Sequence, residues 1–115
     1  MKWKKLGQLY LPAAERHSKL ISHAANPLPI HLEGHIYRIF FSGRDCENRS
    51  SVGAVDIDIV QRKIIREHHY PFFEHGIEGS FYADGVSIGN CYTVDGIRYM
   101  LFMGWQASHD GHWRG

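Results

Sequence analysis

Residues Gly79 to Gln106 read GSFYADGVSIGNCYTVDGIRYMLFMGWQ. Asp95-Gly96 is a strong type I′ turn signal, and it predicts a hairpin made of Val86–Val94 and Ile97–Trp105. On the second strand Ile97, Tyr99, Leu101, Met103 and Trp105 share one face, and Met100 and Phe102 share the other. A strand apolar on both sides expects a layer on each. Asp84 opens the hairpin and Trp105 closes it, so a carboxylate and an indole fall at one end. Only Ala107 to Gly115 follow. The hairpin is therefore expected to find part of its cover outside this chain.

Upstream, the pattern from Pro29 is also β. Short runs at Pro29–Leu32, His35–Ser42, Ser51–Val60 and Lys63–His69 are separated by Glu33-Gly34, by the polar loop GRDCENRS, and by Gln61-Arg62. In the third run Val55, Ile57 and Ile59 alternate with Asp56 and Asp58, which predicts one buried face and one wet face. The fourth run carries Lys63, Arg66 and Glu67, the charges expected on an exposed edge. The reading is an antiparallel four-stranded meander over 29–70, a connector over 71–85, and a second hairpin with its tail over 86–115. Residues 1–25 lack a clean period, and 1–28 are read as an arm ahead of the meander. Pro12 and Pro27 bracket AAERHSKLISHAA, which favours an arm across a sheet over a helical turn. The pattern restarts after roughly fifty to sixty residues, longer than the ~40–50 of common propeller repeats. Radial stacking of such sheets is the most natural use of it, with a small sandwich or open barrel as the alternative.

Composition narrows the class. The chain has 115 residues, 43% hydrophobic and 22% charged, with a formal net charge of +1. That is one modest soluble domain without the basic excess of a nucleic-acid binder. It holds no run near the ~20 apolar residues a membrane helix needs, and its basic amino end is broken by Gly7 and Gln8, a poor secretory signal. A cytoplasmic protein with no membrane and no nucleic-acid partner is expected. Cys46 and Cys91 read as two unrelated reduced thiols. Among nine histidines, His68-His69 point to opposite strand faces, and His109 and His112 lack a third ligand nearby. No metal site and no cofactor are expected.

Several segments carry a resemblance. They are SHAANPLPI, YRIFFSGRDCENRSSVGAVDIDI, PFFEHGIEGSFYADGVS, and YMLFMGWQ with the later HWRG. Together they resemble the five-bladed β-propeller glycosidase superfamily of arabinanases, levansucrases and invertases. They look most similar to a bacterial branch known only as predicted glycosylases. The resemblance runs from Trp3 to Gly115. It implies an all-β fold of one four-stranded blade plus the hairpin that starts a second, about one and a half blades of a longer wheel. It also matches Asp84 to an inner-strand aspartate that supports the transition state or tunes the acid. Two departures weigh against catalysis: Asn26-Pro27 stands where many relatives place a catalytic Asp, and the general acid belongs to a later blade.

Strand parity places a candidate site without analogy. In an up-and-down meander, the loop after strand two returns to the end where strand one began. Ser22, His23 and Asn26, then Arg44, Asp45, Asn48 and Arg49, then Asp84, then Trp105, Gln106 and His109 should meet at one end. Carboxylates and guanidinium groups hydrogen-bond hydroxyls, and an indole packs on a sugar ring. Glycoside hydrolysis needs two carboxyl groups across the scissile bond. Asp84 and Asp45 are the catalytic candidates, and Asn26, Arg44, Asn48, Arg49, Trp105 and Gln106 are candidates for substrate binding. The plain alternatives are a loop ion pair for Arg44 and Asp45, and a turn residue for Asp84. The expected function is a glycosidase-like propeller fragment, non-catalytic alone, that forms homo-oligomers through uncovered strands. The alternative is an oligomeric carbohydrate-active or carbohydrate-binding protein that uses this loop end.

Overall fold

Four strands, β1 (Ser22–Glu33), β2 (Ile36–Arg44), β3 (Ser50–Asp58) and β4 (Lys63–Glu67), pair antiparallel in chain order. They belong to a computed structural model that describes residues 1–12, 15–107 and 113–114. The meander is thus present, and the described structure is all-β apart from a 3-10 turn at Ser18–Leu20. No described helix is long and apolar enough to cross a membrane. A hairpin follows, β5 (Gly85–Val94) and β6 (Ile97–Ala107), then a two-residue β7 (Trp113–Arg114) against the end of β6. Asp95 and Gly96 both take positive φ, 50° and 77°, as a type I′ turn demands.

The hairpin does not stand apart from the meander. One parallel pair, Ser50↔Gly85, joins β5 to β3 on the same edge as β4, at the end that β4 does not reach. Beyond that joint β5 packs on the sheet. Val86 and Ile88 bury against Phe40, Val52 and Ala54, with Leu28, Ile30, Phe73 and Met100 closing the cluster. Val86 is fully excluded from solvent, and burial of a valine side chain stabilises by about 1.5–3 kcal/mol. On the opposite face Phe41, Val55 and Ile57 form a second cluster, covered by Leu9 and Tyr10 of the amino-terminal arm. The arm is tied down at several points. The Tyr10 hydroxyl donates to Glu67 Oε1 at 2.6 Å, and Arg62 donates to the Leu6 carbonyl at 3.0 Å. Burial, then the Glu67 carboxylate, pushes the Tyr10 phenol well above its ordinary value.

Three expectations are corrected. The first strand begins at Ser22, not Pro29. Its prolines disguise it, but β1 is an edge strand, where a missing N–H costs nothing, and left-handed His23 and Asn26 absorb its register shifts. The turn after β3 is longer than Gln61-Arg62, because Asp58 Oδ1 accepts from the amides of Val60 and Gln61 and draws the chain into a loop over 59–62. Most consequentially, β3 has no wet face. Asp56 is 6% exposed. Arg38 donates to it from Nε and Nη2 at 2.9 and 3.1 Å, and His68 Nε2 lies 3.2 Å from Oδ2. A carboxylate leaves water when partners of this quality replace it. Replacing Arg38 with Leu keeps the bulk but strips the main partner. It is expected to cost about 2–3 kcal/mol in urea unfolding, the scale of a buried charged group losing its hydrogen bonds.

Candidate functional site

Register brings the candidate residues to one end. Ser22 pairs with Arg44, Arg44 with Ser50, Ser50 with Gly85, and Gly85 with Trp105. This row crosses the molecule from the first strand to the hairpin. Just outside it opens a cleft of about 650 Å3 lined by Arg49, Asp84, Gln106, Glu47, Glu78 and neighbouring small residues. Parity reasoning anticipated Arg49, Asp84 and Gln106 there.

The polar loop is ordered by one side chain. Asp45 Oδ1 accepts from the amides of Glu47 and Arg49 at 3.0 and 2.8 Å, and Oδ2 accepts from Arg49 Nε at 2.8 Å. Asn48 takes the left-handed conformation the tight loop requires, with φ 64°, and its Oδ1 accepts from Arg44 at 2.7 Å. Asp45 forms its ion pair with Arg49, not with Arg44 as expected. Arg49 also reaches Glu47 at 2.8 Å. Behind them His75 Nε2 lies 3.4 Å from Asp45 Oδ2, and its side chain is as buried as the carboxylate. The His75 amide donates to Ser51 Oγ, and Nδ1 donates to the Gly76 carbonyl.

This geometry sorts the candidates. Asp45 does not line the cleft. Both of its oxygens are engaged with its own loop, so it positions Arg49 instead of facing a ligand. Burial pushes its carboxyl up, but hydrogen bonds from the Arg49 amide and guanidinium outweigh that and hold it below the ordinary aspartate range. Asp84 does line the cleft. Its Oδ2 accepts from the Ala107 amide at 2.7 Å, and its own amide donates to the Trp105 carbonyl at 3.1 Å. Asp84 therefore ties the start of β5 to the end of β6, and its Oδ1 makes no hydrogen bond among the described residues. Trp105 is half-buried, with its indole lying so closely over Gly85 that a methyl group there would overlap the ring. Arg44 and Asn48 bond to each other outside the cleft lining. Asn26 lies inside β1 rather than at its start, exposed and also outside the lining. His109 lies outside the described residues, as does His112.

Sequence reasoning missed Glu47, Glu78 and His75. Arg44, Asp45, Asn48 and Arg49 of the same loop were candidates without Glu47, and the connector was read only as a link. Glu78 precedes Gly79, whose φ of 87° marks a turn into the cleft wall. That glycine was the available signal.

No family model matches this chain, and no solved structure matches it. The uncharacterized proteins MT1551 and Rv1502, from two strains of Mycobacterium tuberculosis, are each 40% identical to it over 115 residues. The match takes in 99% of this chain and 38% of each relative. The chain thus spans well under half the length of the curated relatives it matches.

Two outcomes follow from this geometry. Asp45 and Asp56 both sit below the ordinary aspartate value of 3.8, Asp56 because bonds from Arg38 and His68 outweigh its burial. Depressed carboxyls contribute stability above the unfolded value and lose it as pH falls through the folded one. The melting temperature should therefore not vary with these groups between pH 5 and 7, should drop below pH 4, and should drop less steeply in Asp45→Asn. Separately, Gly85→Ala should lower stability by about 1–3 kcal/mol through overpacking against Trp105, measured by thermal unfolding.

Proposed function

We propose that this chain is a carbohydrate-contacting module of propeller type, related to glycoside hydrolases and without turnover of its own. The observation that carries the reading is the register row that converges Arg49, Asp84 and Gln106, with Glu47 and Glu78, on one cleft at the strand ends. Carboxylates, a guanidinium and a primary amide are the groups that bond sugar hydroxyls, and a cleft of this size suits a ligand of one or two rings. A four-stranded meander followed by a hairpin on its edge supports the propeller reading. So do relatives more than twice as long, which leave room for further blades.

The same geometry argues against catalysis by this chain. Hydrolysis needs one carboxyl held protonated and a second ionised across the bond. Asp45 is buried and held ionised, and Asp84 spends one oxygen on the Ala107 amide. A cytoplasmic location suits the free thiols of Cys46 and Cys91.

A panel of neutral mono- and disaccharides tests the reading by thermal shift. At least one sugar should raise the melting temperature, and Asp84→Asn should remove the rise without lowering the unliganded melting temperature by more than a degree or two. Absence of any sugar-dependent shift would sink the carbohydrate reading. Release of product from aryl glycosides by this chain would sink its non-catalytic part.

A further inference from the structure

A second cavity, of about 220 Å3, lies between the amino-terminal arm and the end of β4, with Tyr10, Arg16, His17, Leu20, Phe41 and Glu67 in its walls. It shares no residue with the cleft at Asp84. Arg16 is its anomaly. Nη1 donates to the His23 carbonyl at 3.2 Å, and the guanidinium carbon lies 5.6 Å from the centre of the Phe41 ring. Nη2 is buried and has no hydrogen-bond partner among the described residues. No ion pair among the described residues includes Arg16. Burial pulls the guanidinium below its ordinary value, and Glu67, close enough to act on its charge, does not overcome that.

A buried charged donor without a partner is costly, so an orphaned guanidinium nitrogen beside open space marks a place for an acceptor. The space holds roughly seven waters at ~30 Å3 each, or one small molecule. It is below the ~300–1,000 Å3 of sites for drug-sized ligands. The acids of the wall do not fill the role. Glu67 Oε1 is taken by the Tyr10 hydroxyl, and Glu15 and Glu67 are both exposed. The cavity is therefore polarised, with its cation withdrawn from water and two carboxylates toward it. His17 Nδ1 accepts from the Lys19 amide at 3.2 Å, which leaves Nε2 as the donor of that ring. Leu20 and Phe41, 3% and 5% exposed, supply an apolar wall. A simple anion meets the guanidinium but also faces two carboxylates. A molecule that joins a carboxylate to an ammonium through one carbon meets both.

We propose that this cavity binds a small free α-amino acid with an apolar side chain, its carboxylate on Arg16, its ammonium toward Glu67 and its side chain against Leu20 and Phe41. The site does not depend on the cleft binding sugar, and Asp84→Asn leaves it intact.

Isothermal titration calorimetry of the 115-residue chain with glycine, L-alanine, L-valine and L-leucine tests it. At least one of the last three should bind with a millimolar or tighter Kd, and more tightly than glycine. Acetate and inorganic phosphate lack the ammonium, and valine amide lacks the carboxylate. Each should bind at least about tenfold more weakly, the scale of one lost charge-assisted hydrogen bond. Arg16→Met keeps a stem over Phe41 and should remove binding. It should not lower the unliganded melting temperature, because it deletes a charge that nothing among the described residues pairs. Glu67→Gln keeps an acceptor for Tyr10. It should weaken the amino acid about tenfold and leave acetate unchanged or tighter, with folding of both variants checked by circular dichroism. Absence of binding by every amino acid, acetate or phosphate binding as tightly as the best of them, or binding that survives Arg16→Met overturns the proposal.

Discussion

Neither face of β3 is open to water, and the rest of the architecture follows from that constraint. Val52 and Ala54 need cover on one side, and β5 supplies it with Val86 and Ile88. Val55 and Ile57 need cover on the other, and the arm supplies it with Leu9 and Tyr10. The edges of β3 are shared as well. β2 takes one whole edge. β4, the connector residue Phe73 and the first residue of β5 divide the other. One nine-residue strand therefore positions the arm, the meander and the hairpin relative to each other.

Two aspartates make this placement specific. Asp56 sits within β3 and ties Arg38 of β2 to His68 beyond β4, so it ties β3 to its neighbours on both sides. Asp45 sits at the cleft end and closes the loop that leads into β3. Paired buried carboxylates contribute little net stability, since desolvation offsets most of the Coulomb gain. What they supply here is geometry. A slip of β3 by one residue would turn Asp56 away from Arg38 and into the apolar cluster on the reverse face.

The meander and hairpin were legible because their turns are chemically explicit. Asp95-Gly96 can hardly be anything but a tight reversal, and the alternation at Val55, Ile57 and their neighbours is unambiguous. The convergence of Arg49, Asp84 and Gln106 was also legible, because up-and-down parity needs only a count of strands. Other features were not. Pro27 and Pro29 hid the first half of β1, since proline is excluded from central strands but tolerated on an edge. Asp56 read as solvent-facing because alternation reports which residues share a face, and not whether a distant Arg38 and His68 will cover it. Trp105 read as a platform for a ring, while Gly85, its partner across the hairpin, lets the indole lie down on the backbone.

The Asp45 knot has a consequence for how this end of the molecule tolerates change. Because one carboxylate and two amides set the loop's shape, the exposed side chains of Cys46 and Glu47 are not what holds it, while Asn48 is kept by its left-handed turn and its bond to Arg44. Frame and decoration are separable there. Drift at the loop's tip can recolour the rim of the cleft while the scaffold beneath keeps its form.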